Sequence, residues 1–288
     1  MEEAPFVASL SHPLTLPKQL VIFDLDGVVY RGITPTPGAQ EAIASLVRRG
    51  IQVRYLTNNA ALSRSAYVAK LSKMGISSVE DDFMTSAYAT ARYLLEQGCL
   101  GQQALVVGEE GLVTELNAAG IHAVMACDSD DEIAVDVVVV GIDRSFTYGR
   151  LKQAQQAIFH GAQFIATNQD ATYPTEQGIF PGAGAVVAAV ATAAGRQPFT
   201  VGKPNTYALD LILRSAGVPP ERAVLVGDRL DTDIHVGRSA GLETILPLTG
   251  VTTLAHLYDL DPESRPSTVI PDLRSLDQVL SEATAERE

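Results

Sequence analysis

The chain is short of cysteine, of positive charge and of long apolar runs, and each shortage excludes a class of protein. Cys99 and Cys127 are its two cysteines. They are too few for a disulfide framework and lack metal-site spacing, so a reducing, cytoplasmic location is the expectation. Lysine and arginine number 21 against 34 aspartates and glutamates, a formal net charge of −13. That field argues against nucleic acid or an anionic membrane as a partner. The apolar stretch at 185–195, AVVAAVATAAG, is too short to span a bilayer and suits a buried helix. No segment reads as a secretory signal, a fixed-period repeat or a low-complexity tract. The histidines (His12, His122, His160, His235 and His256) are scattered without ligand spacing. Residues 1–19 read as a loose arm and residues 281–288 as a charged, frayed end.

What remains is a soluble globular composition, 46% hydrophobic and 19% charged over 288 residues, enough for one large domain or two ordinary ones. Strand patterns at 20–24, 51–56, 104–107, 135–140, 163–167, 199–201 and 223–227 alternate with helical patterns. The helices fall near 38–49, 63–74, 86–97, 110–119, 148–160, 182–194, 205–216 and 232–239. Alternation of this kind predicts an α/β fold with parallel sheets and crossover helices. Residues 85–200 hold enough strands and helices for a smaller α/β domain of their own. They would be inserted between the halves 1–84 and 201–288 of a doubly wound, Rossmann-like core.

Four motifs carry chemistry. In LVIFDLDGVVY (20–30), Asp24 and Asp26 follow an apolar strand and Gly27 ends it. Carboxylates there face the crevice in which open α/β sheets bind ligands; the plain alternative is a solvated acidic turn. In YLTNN (55–59), Thr57, Asn58 and Asn59 follow a second strand, where a hydroxyl and two amides can donate to phosphate oxygens. Ordinary turn chemistry explains them equally well. In VGKPNTYALDL (201–211), Pro204 suits a first helical turn, which puts Lys203 at the amino end of that helix, where anions are favoured. In AVLVGDRLDTDI (223–234), Asp228 occupies on its strand the place Asp24 occupies on its own, and Asp231 and Asp233 suit a helix start. The strand-end carboxylates Asp24, Asp26 and Asp228 suit a hard divalent cation, and magnesium fits because it keeps waters and adds substrate phosphate oxygens.

These motifs, in this order, resemble the haloacid dehalogenase superfamily of phosphatases over about residues 19–275. Within it they resemble the NagD-like branch of 4-nitrophenyl-, phosphoglycolate and pyridoxal-phosphate phosphatases, whose large α/β cap is inserted after the second motif. The resemblance implies a magnesium-dependent phosphatase working through an aspartyl-phosphate. Asp24 would be the nucleophile and Asp26 the general acid and then base. Thr57, Asn58 and Asn59 would hold the phosphate, and Lys203 would neutralise charge. Asp228 would bind magnesium with Asp24 and the backbone carbonyl of Asp26, and Asp233 would orient metal waters or Lys203. Dehalogenase relatives lack an aspartate at the Asp26 position and ATPase relatives carry threonine. Mutases usually carry a small helical cap at another insertion point.

The resemblance implies a small phosphorylated metabolite as partner: phosphoglycolate, glycerol phosphate and nucleoside monophosphates stay open, and 4-nitrophenyl phosphate should serve as an artificial substrate. Residues 166–184 read as a loop rich in turn formers, which in the family reaches over the site. Tyr173 falls where pyridoxal-phosphate phosphatases carry histidine, so it is a candidate substrate contact that argues against strict pyridoxal-phosphate specificity, with packing in the cap as the alternative. Val137–Val140 read as a core strand, although a cap-to-cap homodimer could use such a run. A non-catalytic phosphometabolite sensor would be favoured by a lost catalytic group, and all are present. A phospho-accepting receiver domain is about 120 residues long and lacks both the cap and the acid two residues on.

Overall fold

Leu20–Phe23 form β1, with all four side chains fully buried, the pattern of a strand covered on both faces. The computed structural model describes residues 14–129, 133–175, 178–258, 260–261 and 264–285. After β1 come β2 (Tyr30–Arg31), β3 (Thr34–Pro35), α1 (Ala39–Arg48), β4 (Gln52–Thr57), α2 (Arg64–Lys73), β5 (Phe83–Thr85) and α3 (Ser86–Glu96). Then follow β6 (Gln103–Val107), α4 (Glu110–Ala118), β7 (His122–Met125), β8 (Val137–Val140), α5 (Tyr148–Phe159), β9 (Gln163–Ala166), β10 (Thr172–Thr175), β11 (Gly178–Pro181) and α6 (Ala183–Ala194). The chain continues through β12 (Phe199–Thr200), α7 (Tyr207–Ala216), β13 (Ala223–Val226), α8 (His235–Ser239), β14 (Glu243–Pro247), α9 (Leu254–Tyr258), β15 (Thr268–Ile270) and α10 (Leu276–Ala285).

The chain falls into two compact units. The first holds Met1–Leu56, Val68–Phe83 and Leu209–Glu288; the second holds Thr57–Tyr67 and Met84–Ala208. The main sheet has the order β15-β14-β13-β1-β4-β5. β1 pairs in parallel with β13 on one side and β4 on the other, Phe23 lying opposite Val226 and Tyr55. The strand order turns back at β1, and that switch point is where such sheets open a crevice at their carboxyl ends. α1 shows how sequence dictates an element here. Ala39, Ala42, Ile43 and Leu46 form its buried stripe. It stops at Gly50 (φ +70), where Gly50 and Ile51 N–H donate back to Val47 and Leu46 carbonyls at 3.0 Å.

The second unit has a five-stranded sheet of order β12-β9-β8-β6-β7, with every adjacent pair parallel. Val137–Val140 are its central strand, completely buried. Val138 and Val140 pack with Leu105, Val107 and the apolar faces of α5 and α6, each such side chain stabilising by roughly 1.5–3 kcal/mol when fully buried.

Three expectations need correction. Residues 166–184 are not a plain loop: β10 and β11 make an antiparallel hairpin with Tyr173 opposite Phe180. Thr172, Tyr173, Ile179 and Phe180 supply the β propensity, which the surrounding proline and glycine hide. Of the expected frayed end, residues 281–285 belong to α10, which is held by buried Leu276 and Leu280, and residues 286–288 lie outside the described chain. The described part of the expected loose arm is also pinned. Leu14 is buried, Thr15 N–H donates to Glu243 Oε1 at 2.9 Å, and buried Lys18 pairs with Glu243 and donates to the Glu221 carbonyl at 2.9 Å. Residues 1–13 lie outside the described chain. Among the described residues no helix is long and apolar enough to cross a membrane.

Candidate active site

Asp24 continues the sheet for one residue past β1, its N–H donating to the Val226 carbonyl at 2.8 Å. The chain then turns sharply. Val29 and Tyr30 N–H donate to the Leu25 carbonyl at 2.9 and 3.2 Å, and Gly27 N–H donates to the Tyr30 carbonyl at 2.8 Å. Position 27 has to be glycine on two counts. Its φ is +87, and a Cβ there would lie 2.6 Å from Asp228 Oδ2.

Asp228 follows β13 after Gly227 and is buried to 1% exposure. Its Oδ2 accepts from Val251 N–H at 2.6 Å, and its carbonyl from Thr252 N–H at 3.2 Å. The segment Leu230–Ile234 is a π-helical turn rather than the expected ordinary helix start, with α8 following it; such turns often mark functional sites. The turn separates two aspartates that look alike in sequence. Asp231 is solvated and paired with Arg229 at 2.9 Å, whereas Asp233 is buried and accepts from Arg229 N–H at 3.1 Å.

Asp24, Asp228 and Asp233 are all buried, and one carboxylate oxygen of each lies within 4.8 Å of the others. Three carboxylates so close and so dry repel one another unless a cation or protons offset them. The donor set is all hard oxygen and suits magnesium. Asp26 is half-buried, stands outside this trio, and bridges to Tyr30. Lys70 of α2, which no sequence motif flagged, lies with its Nζ 3.6 Å from the Tyr30 ring centroid. Burial pushes the Lys70 ammonium pKa down, while the Asp26 carboxylate works in the opposite direction.

The second unit holds the other predicted residues. Thr57 closes β4; its Oγ1 accepts from Asn59 N–H at 3.2 Å, and Asn59 Oδ1 accepts from Ala61 N–H at 2.9 Å, two local turns that shape the loop. Asn58 is committed elsewhere. Its Oδ1 accepts from Lys203 N–H at 2.8 Å, and its Nδ2 donates to the Lys203 carbonyl at 3.0 Å and to Asp170 at 3.1 and 3.2 Å. The Asn58 carbonyl accepts from Asn168 Nδ2 at 2.7 Å and from Ser86 Oγ. Lys203, 3% exposed, does not sit in the first turn of a helix. α7 begins at Tyr207, and the Lys203–Pro204 bond is cis, within a turn that precedes it.

Tyr173 lies against Ala61, Ile142 and Ala183, edge-on to Phe180 at 6.3 Å. Its hydroxyl accepts from Arg144 Nε at 2.9 Å, and Arg144 Nη1 donates to both oxygens of Glu109 at 2.9 and 2.7 Å. Burial works against the Arg144 guanidinium, but the Tyr173 hydrogen bond and the Glu109 charge outweigh it and raise its pKa. Glu109 sits in the turn between β6 and α4, immediately before the helix. Neither Arg144 nor the Gly250–Val251 turn that grips Asp228 carries a motif; the cluster of turn formers TGVTT is the sole sequence trace of the latter.

A family model described as haloacid dehalogenase-like hydrolase matches residues 21–122, and one described as HAD-hydrolase-like matches residues 200–276. The chain is 39% identical over 259 residues to a glycerol-3-phosphate phosphatase of Homo sapiens, covering 82% of this chain and 81% of the relative. It is 35% identical over 270 residues to phosphoglycolate phosphatase 2 of Arabidopsis thaliana, covering 86% and 90%. The solved glycerol phosphate phosphatase of Mycobacterium tuberculosis in complex with magnesium superposes with a TM-score of 0.81 at 34% identity, over 92% of this chain and 78% of that one.

Proposed function

The chain belongs to the haloacid dehalogenase-like hydrolases and is a phosphoric monoester hydrolase, and we propose that it hydrolyses small metabolite phosphates with magnesium through a phosphoryl group carried on Asp24. The observation that carries this reading is the buried trio Asp24, Asp228 and Asp233, an all-oxygen donor set of the kind that holds a hard divalent cation.

Phosphate monoesters are so inert that enzymes must supply up to about 10²¹-fold acceleration, and one proton transfer supplies about 10⁴-fold at most. Covalent catalysis and charge neutralisation therefore have to combine. An oxygen of Asp24 attacks phosphorus, and the bond from phosphorus to the ester oxygen breaks. Asp26 gives its proton to the departing alkoxide. Asp26 then takes a proton from water; the water oxygen attacks the phosphorus, inorganic phosphate leaves, and the Asp24 carboxylate is restored. Asp24, Asp228 and the Asp26 carbonyl would hold magnesium, with Asp233 beside them; when bound, the ion offsets the negative charge of nucleophile and phosphate. Thr57 and Asn59 would meet the phosphate oxygens, and Lys203 would neutralise the transferring group. Asn58 serves this reading by fixing the Lys203 backbone. Residues 1–84 and 201–288 act as the catalytic core and 85–200 as the cap that selects substrate, with Tyr173 a substrate contact; a homodimer through the cap belongs to the same reading.

The test is phosphate release from a panel of phosphorylated metabolites and 4-nitrophenyl phosphate, with magnesium or with a chelator, for the native chain and Asp24→Asn. Magnesium-dependent release that Asp24→Asn abolishes in a folded protein is the expected result. Release that survives the chelator, or survives Asp24→Asn, would overturn the mechanism.

A further inference from the structure

Resting on the phosphatase reading, we propose that Glu109, Arg144 and Tyr173 form the subsite for the non-phosphate end of the substrate, and that its charge arrangement selects an uncharged, hydroxyl-bearing group over a carboxylate. The substrate class is then a polyol phosphate such as glycerol 3-phosphate, and the disfavoured class is an acid phosphate such as phosphoglycolate.

The subsite is anchored to the loop proposed to hold the phosphate. Tyr173 packs on Ala61, two residues past Asn59, and Asn59 itself caps Ala61 N–H at 2.9 Å. The turn carrying Glu109 reaches the same loop, since Gly111 N–H donates to the Ala61 carbonyl at 3.2 Å. Ala61, Ile142 and Ala183 give the subsite an apolar wall beside Tyr173, suited to the carbon chain of a small ester.

The selection follows from what Arg144 already holds. An arginine facing an acid substrate should offer a bidentate fork to the carboxylate. Here Nη1 is engaged by both oxygens of Glu109 and Nε by the Tyr173 oxygen, so the positive charge is matched within the protein. An incoming carboxylate would have to displace Glu109 or lie beside its negative charge, which disfavours it. A hydroxyl meets no such opposition. Because the Tyr173 oxygen accepts from Arg144, the phenol's own hydrogen is directed to a different acceptor, and Glu109 offers acceptor oxygens to a substrate O–H. Arg144 thus acts as a positioning residue that orients both groups.

The experiment compares kcat/KM for glycerol 3-phosphate and for phosphoglycolate in the native chain, Glu109→Gln and Tyr173→Phe. Each value is divided by the same protein's rate on 4-nitrophenyl phosphate, whose aryl group offers the subsite neither a hydroxyl nor a carboxylate. The native chain should favour glycerol 3-phosphate by at least about tenfold. Glu109→Gln removes the opposing charge and should move the ratio about tenfold toward phosphoglycolate, while Tyr173→Phe should lower the normalised glycerol 3-phosphate value by about tenfold. A native preference for phosphoglycolate, or a ratio that neither variant moves, would overturn the subsite. Absence of release from all three compounds by the native chain would instead overturn the phosphatase reading, and this proposal with it.

Discussion

Asn58 grips the backbone of Lys203 from both sides, accepting its N–H at 2.8 Å and donating to its carbonyl at 3.0 Å across 145 residues of sequence. This pair of bonds sets where the buried lysine starts, so the placement of the ammonium depends on how the Asn58 amide holds the backbone behind it. Asn58→Ala should keep the fold and lower kcat by about 100-fold, the scale of a misplacement of about 1 Å in a catalytic group. Steady-state kinetics beside far-UV circular dichroism check this. A kcat within a few-fold of the native value would show that Lys203 is placed by other contacts.

Metal removal should be visible in stability as well as in rate. Without a cation, the trio Asp24, Asp228 and Asp233 is mutually repulsive in a buried setting. Magnesium at about 100 times its dissociation constant should therefore stabilise the native chain by about 2.7 kcal/mol. Asp228→Asn should lose most of that gain, and its melting temperature in chelator should fall little or even rise, because one buried charge has gone. Thermal unfolding of both proteins in magnesium and in chelator measures this. An equal magnesium shift in both would remove Asp228 from the ion's site.

Gly250 provides a steric test of the same carboxylate. A Cβ at this position would lie 1.9 Å from Asp228 Oδ2, and its φ is outside the left-handed region, so alanine would press on Asp228 without straining the turn itself. Gly250→Ala should raise the magnesium concentration for half-maximal activity about tenfold and destabilise by about 1–3 kcal/mol, as overpacking does. Magnesium titration of activity, with a urea melt alongside, separates the two effects.

Much of the core was legible because β1, β4 and β13 are apolar runs ending in polar motifs, a pattern that fixes both burial and strand end at once. The edges of the fold were less so. β14 ends in Pro247, β7 alternates exposed and buried side chains, and β15 is only three residues long, so none of them shows the unbroken apolar run that marks β1 and β13. The trio was legible to the extent that Asp24 and Asp228 share a strand-end position. Which of Asp231 and Asp233 turns inward was not, since it depends on the π-helical turn at Leu230–Ile234. Arg144 lies in a loop with no recurring pattern around it, and its pairing with Glu109 spans 35 residues. Contacts of that kind are made by folding and leave no local trace in sequence.

Asp272 offers a pH-dependent check away from the site. Its Oδ1 accepts from Arg274 N–H at 2.9 Å, capping the short turn Leu273–Ser275, and Arg274 Nη2 reaches its Oδ2 at 2.6 Å. Hydrogen bonding from the Arg274 side chain holds the Asp272 carboxyl below its ordinary value, with burial opposing. A depressed folded pKa means that the unfolded chain takes up the proton first, so the contribution is fully present above the ordinary aspartate pKa of about 3.9 and is lost as pH falls through the folded value. Asp272→Ala should destabilise by about 1 kcal/mol at neutral pH, the worth of a lost cap. The gap to the native chain should narrow steadily once the pH drops below the ordinary aspartate range. Urea unfolding across that range measures it, and a gap that stays constant through acid would mean that the Asp272 charge contributes nothing to the fold.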